Sequence, residues 1–123
     1  MKIAVTSQNP GWKELLDSRF GRAACFVIVD AETKEWQAVE NQQNRQATQG
    51  AGIQAARTII DQGAEVLISG NVGPKAFRVL QAGAVRMFRT DPVSQKTVAD
   101  AVAAWEQGKL EEIQAATVEG HSI

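Results

Sequence analysis

The chain has 123 residues, 44% of them hydrophobic, and a formal net charge of −1. That is enough apolar material for one packed domain and gives no bulk attraction to nucleic acid. One cysteine excludes an intrachain disulfide, and one cysteine with one histidine falls short of a four-ligand zinc site.

Met1-Lys2 leads at once into Ile3-Ala4-Val5, so a strand is expected over 2–6 with no signal peptide before it. No apolar run approaches membrane-spanning length, and a soluble, cytoplasmic protein is expected. Residues 7–19 read as a polar loop with a helical turn around Trp12, Leu15 and Leu16. Cys25-Phe26-Val27-Ile28-Val29 is a continuous β-rich run, the pattern of a strand buried on both faces. Asp30 to Lys34 suits a hairpin loop, though it lacks glycine. Trp36, Ala38 and Glu40 alternate with polar neighbours as in a half-exposed edge strand. The stretch 42–49 is polar and nearly free of apolar side chains, and is expected to move until something binds it.

From Ala51 the period changes. Ile53, Ala56 and Ile60 share one face of a helix that Gly63 stops. Val66-Leu67-Ile68 is the next strand. Pro74 suits the first turn of a second helix, whose inner face is Ala76, Phe77 and Leu80 and whose end is Gly83. Val85 to Phe88 is a last core strand. Val98, Ala101, Val102 and Trp105 give a third helix, stopped by Gly108. The tail from Leu110 to Ile123 has no assignable structure. The order is βββαβαβα: an α/β protein with a five-stranded mixed sheet.

Strands joined through helices are parallel with right-handed crossovers, and the first three strands can form an antiparallel meander. That topology sends three glycine turns to one edge of the sheet: Phe20-Gly21-Arg22, Gln49-Gly50-Ala51-Gly52 and Gly70-Asn71-Val72-Gly73-Pro74. The second and third open helices. Glycine lets backbone approach a ligand closely, and helix N-termini offer N–H groups to an anion. The edge is also where open α/β sheets bind ligands.

Singly, each turn has a purely structural reading: tight helix–sheet packing for Gly50 and Gly52, an ordinary strand-to-helix turn for Gly70 to Gly73, solvated side chains for Arg19, Arg22 and Lys75. Gly50-x-Gly52 is no dinucleotide fingerprint, since position 55 is Ala, and Gly70 to Lys75 lacks the P-loop ending. Lys75 at a helix start is electrostatically unfavourable unless an anion is near. Cys25 is a buried structural thiol or a soft metal ligand below the site. Trp12 packs under its loop or covers a ligand. The first strand carries no carboxylate for two-metal chemistry, and the only histidine, His121, lies in the tail, so no enzyme is expected.

Four motifs in order, Phe20-Gly21-Arg22-Ala23, Phe26-Val27-Ile28-Val29-Asp30, Gly50-Ala51-Gly52-Ile53-Gln54-Ala55-Ala56 and Ser69-Gly70-Asn71-Val72-Gly73-Pro74-Lys75-Ala76-Phe77, resemble the dinitrogenase iron–molybdenum cofactor biosynthesis family. The family includes NifX-like accessory proteins, the C-terminal part of NifB and a molybdenum–copper orange protein. The likeness runs from Met1 to about Leu110, a single metal-cluster-binding accessory domain at 1–110 followed by a tail at 111–123. It implies a three-layer ribonuclease H-like fold. It also implies noncovalent binding of an anionic metal–sulfur cluster or its precursor, containing molybdenum with iron or copper. Cluster donor and acceptor proteins are the partners such a role implies, with no nucleic acid or membrane, and the chain is expected to act as a monomer. Many members carry a His before the Gly-x-Gly turn; here the stretch is Arg45-Gln46-Ala47-Thr48-Gln49. That shifts weight from imidazole ligation to charge and hydrogen bonding. The cluster-binding residues are then Phe20, Gly21, Arg22, Arg45, Gln49, Gly50, Ala51, Gly52, Gly70, Asn71, Gly73 and Lys75. The alternative is a regulatory or protein–protein interaction module that binds a partner or small anion at the same edge.

Overall fold

The computed structural model describes residues 1–41 and 50–116. The strands are β1 (Lys2–Ser7), β2 (Cys25–Asp30), β3 (Trp36–Glu40), β4 (Ala64–Ser69), β5 (Arg86–Arg89) and β6 (Glu111–Glu112). The helices are α1 (Ala51–Asp61), α2 (Pro74–Ala82) and α3 (Val98–Glu106). All six strands form one sheet in the order β3-β2-β1-β4-β5-β6. β1, β2 and β3 pair as an antiparallel meander, and β1, β4 and β5 run parallel. This is the expected three-layer ribonuclease H-like α/β architecture, with one strand more than expected. The sixth comes from the stretch that sequence could not place: Phe88 pairs with Glu112 and Arg89 with Glu111. Two consecutive glutamates carry no strand periodicity; Arg86 selects the pairing by binding the Glu112 carboxylate through Nε and Nη2 at 3.1 and 2.9 Å.

Side chains alternate across the sheet, which produces two cores. On one face Ala4, Phe26, Ile28, Leu67 and Met87 meet Ala55, Ile59, Ala76 and Leu80 of α1 and α2. On the other Ile3, Val5, Val27, Val29, Val66 and Ile68 meet Val98, Ala101 and Val102 of α3. Covered on both faces, β1, β2 and β4 read as unbroken apolar runs. β3 is the outer strand and leaves Trp36 exposed, whereas Trp105 is half-buried and meets Phe88 edge-on at 6.3 Å.

Two local expectations differ, and one is met in an unexpected way. The buried face of α1 is Ala51, Ala55, Ala56 and Ile59, turned from the Ile53–Ala56–Ile60 face because small residues let α1 lie close to its neighbours. Gly83 ends α2 as expected, at φ −84, but the left-handed residue is the following Ala84 at φ 60; a Cβ at position 83 would lie 2.6 Å from Ile60 Cδ1, so that side chain would have to shift to admit one. Residues 8–19 form no helix. Instead Gln8 N–H donates to Leu15 O, Leu16 N–H to Lys96 O, and Ala99 N–H to Trp12 O. A single turn has too few internal bonds to nucleate, so tertiary partners take the segment. Trp12 and Leu16 pack on the α3-side core.

The hairpin without glycine is made by Asp30, whose Oδ1 accepts from Glu32 N–H at 2.8 Å and Thr33 N–H at 3.1 Å. Those bonds hold its carboxyl below the usual range.

Candidate functional site

The three glycine turns meet through direct backbone contact. Phe20 is buried against Phe26, ring centroids 5.5 Å apart, and anchors the first turn in the α1/α2-side core. Next to it, a Cβ on Gly21 would sit 2.9 Å from Gly52 N and 3.0 Å from Gly52 Cα, so only glycine lets this turn rest on the first turn of α1. A Cβ on Gly52 would in turn lie 3.2 Å from the Ala76 Cβ in the first turn of α2. The chain Gly21–Gly52–Ala76 therefore places two helix N-termini side by side. Behind them a Cβ on Gly70 would strike the Ser18 backbone at 2.8 Å. Asn71 N–H donates to Ser18 O at 2.7 Å and Phe20 N–H to Asn71 O at 3.2 Å. These bonds tie the strand-leading turn across the end of β4.

Neither N-cap residue, Gly50 or Gly73, supplies a side-chain cap. Gly50 opens α1 at φ 76, in the left-handed region, and Gly73 opens α2 from an extended conformation; neither helix has an acid in its first turn. By contrast, α3 closes itself with a full capping box between Thr97 and Asp100. First-turn N–H groups have no intrahelical acceptor, so at α1 and α2 the positive dipole ends face the edge with no first-turn carboxylate among the described residues to offset them.

Arg22 and Lys75 are exposed at this edge. Arg19 is otherwise engaged: its Nε and Nη2 bind the buried Asp17 carboxylate at 3.2 and 3.3 Å. That hydrogen bonding, and then the Asp17 charge, raises the guanidinium pKa. Cys25 is buried with its Sγ 3.7 Å from Ser7 O, and burial pushes the thiol up, which keeps it protonated at neutral pH. Among the described residues no group of three His, Cys, Asp or Glu is placed to hold a metal ion. Arg45 and Gln49, the polar stretch 42–49 and His121 lie outside the described residues.

Sequence reasoning missed Asn41. It is 1% exposed, and its Nδ2 donates to Gly21 O at 3.2 Å and Ala23 O at 2.9 Å. It thus holds the Gly21 turn from the end of β3; the only signal was a polar residue at the close of an edge strand. Also missed was a cavity of about 300 Å³ on the far side of the Ser18–Asn71 connection, lined in part by Leu15, Arg89 and Gln95.

The family model for the dinitrogenase iron–molybdenum cofactor matches residues 1–108. The chain belongs to that family. Its relatives in the dinitrogenase iron–molybdenum cofactor family are similar along nearly their whole length. The apo form of the orange protein from Desulfovibrio gigas superposes with a TM-score of 0.89 at 40% identity, covering 95% of this chain and 96% of that one. A putative NifB protein from Thermotoga gives 0.83 at 33% identity, with 97% and 98% covered. An uncharacterized protein of Methanocaldococcus jannaschii is 29% identical over 116 residues, 93% of this chain and 92% of the relative. Among the described residues no helix is long and apolar enough to cross a membrane.

Proposed function

We propose that this chain binds and carries an anionic metal–sulfur cluster or its precursor, containing molybdenum with iron or copper. It acts as an accessory protein rather than an enzyme. The observation that carries this reading is the pair of uncapped N-termini of α1 and α2, packed together through Gly21, Gly52 and Ala76. Family membership supplies the class of cargo. Each N-terminus presents about half a positive charge and a set of N–H donors. Two of them, with Arg22 and Lys75 at the rim, suit a compact dianion or trianion whose own sulfides already satisfy its metals. Lys75 in the first turn of α2 is disfavoured by the helix dipole, and a bound anion would offset that repulsion. The protonated, buried Cys25 fits a cargo held by hydrogen bonds and charge instead of thiolate ligation.

The test is reconstitution. Apo protein is mixed anaerobically with tetrathiomolybdate alone, with copper and with iron, then passed through a gel-filtration column. A coloured complex in which molybdenum comigrates with the protein is expected. Absence of comigrating molybdenum in every combination overturns the reading.

A further inference from the structure

Across the Ser18–Asn71 connection lies the cavity of about 300 Å³, at the small end of the range for ligand pockets, about 300–1,000 Å³. Its position follows from the topology. The connection leaving β4 enters α2 on one face of the sheet, and the connection leaving β5 enters α3 on the other. The crevice between two such diverging loops is the place where open α/β sheets take ligands. Here Gly70 and Asn71 form one wall and Arg89, Thr90 and Pro92 the other.

The lining has a definite chemistry. It carries two cations, Arg89 and Lys96, and no carboxylate among the described residues. Two neighbouring acids are committed elsewhere. Asp91 accepts from Val93 N–H at 2.9 Å and from the Ser94 hydroxyl at 3.1 Å. Asp100 accepts from the backbone N–H groups of Lys96 and Thr97, both at 3.2 Å. Glu111 is the register partner of Arg89, yet no ion pair joins them. Arg86, two residues earlier, is by contrast bound to Glu112. Gln95 fixes its Oε1 on Asp91 N–H at 2.7 Å, which leaves its amide nitrogen as a donor. Against these polar groups stand Leu16, Pro92 and Leu15, the last a large apolar side chain left 53% exposed.

We propose that this crevice binds a small organic carboxylate, with its charge on Arg89 and Lys96 and its apolar body on Leu15, Leu16 and Pro92. A guanidinium fork matches a carboxylate in two parallel hydrogen bonds. The apolar wall separates such a ligand from a bare inorganic anion. The site meets the α1/α2 edge at the Gly70-Asn71 turn and extends from there to Arg89 and Lys96, and its existence does not depend on the cluster reading.

The experiment follows amide shifts of the full-length ¹⁵N-labelled protein titrated with benzoate, with benzamide and with inorganic phosphate. Benzoate is expected to give saturable shifts at residues 15–18, 70–71 and 89–96. Benzamide, which lacks the charge, and phosphate, which lacks the apolar body, bind at least about tenfold more weakly, the worth of one charge-assisted contact. Arg89→Gln weakens benzoate by about the same factor without lowering the unfolding midpoint, because the Arg89 side chain makes no hydrogen bond or ion pair with any of the described residues; Lys96→Gln weakens it less. The proposal is overturned if benzoate fails to saturate by about 10 mM. Shifts that map to residues 50–53 and 73–77, phosphate binding as tightly as benzoate, or an Arg89→Gln protein that binds unchanged would each overturn it as well.

Discussion

Replacing Gly73 with aspartate separates what the fold favours from what the proposed cargo needs. Gly73 is the N-cap of α2 at φ −73 and ψ 168, and a Cβ built there meets nothing within 4 Å. Thr97 caps α3 from a similar extended backbone, at ψ 167. A carboxylate at position 73 therefore has the geometry to accept first-turn N–H groups of α2. The gain combines the cap itself, its charge against the helix dipole and a less flexible unfolded chain, together roughly 1–2 kcal/mol. In urea the midpoint rises by about 0.5–1 M. Cluster binding moves the other way. The new carboxylate occupies donors the cargo would use, and two unit charges about 4 Å apart repel by about 1 kcal/mol in water and 4 at an effective dielectric of 20. At a half-exposed rim the affinity for a thiomolybdate species falls at least about tenfold. Urea unfolding and gel-filtration binding on the same preparation give both signs. A stabilised variant that binds as tightly as the parent refutes the placement of cargo at α2, and a destabilised one refutes the capping argument.

Gly21→Ala pushes a methyl group into Gly52 backbone, 2.9 Å away at N, and overpacking of that kind costs about 1–3 kcal/mol; an unchanged urea midpoint would show that the turn and α1 are not in contact. Ala84→Gly relieves a left-handed alanine at φ 60. The strain of about 1–2 kcal/mol exceeds glycine's extra unfolded-state entropy of about 0.4–1, so the melting temperature rises by a few degrees, and a fall would count against the strain. Acid should destabilise the α3 region through Asp91 and Asp100. Hydrogen bonds hold both carboxyls below their ordinary values, from Val93 N–H and then the Ser94 hydroxyl for Asp91, and from Lys96 and Thr97 N–H for Asp100. Their contribution is complete above the unfolded carboxylate pKa near 3.9 and is lost as pH falls through the depressed folded values. Asp100→Asn should flatten that acid limb in a series of urea midpoints, and an unaltered limb would exclude Asp100 as its source.

The order of elements along the chain was legible because β1, β2 and β4 are covered on both faces, which favours apolar runs, and because glycine and proline mark where the helices begin and end. Convergence of the glycine turns followed from that order, and it takes physical form in the Gly21–Gly52–Ala76 contacts. Other features left no local trace. β6 is two glutamates whose pairing depends on Arg86, 26 residues away. The segment around Trp12 carries a helical spacing that Lys96 and Ala99 override through backbone bonds. Arg19 and Arg22 are alike in sequence, yet only the structure shows Arg19 bound to Asp17. Asn41 and the crevice beside Arg89 are assembled from distant segments, so neither has a spacing to read.

The edge built by Gly21, Gly50, Gly52 and Gly73 also has a kinetic side. Its donors are main-chain N–H groups, and the one cysteine is sealed beneath Ser7. On the proposed reading, a cluster resting there would leave without breaking a metal bond to any of the described residues, so its departure would be set by screening and diffusion and would quicken as salt rises. A receiving protein that offers a thiolate or imidazole would add a covalent ligand that none of the described residues at this edge supplies. The direction of hand-over would then lie in the difference between a cradle of dipoles and a ligated site, with no conformational change required of the carrier.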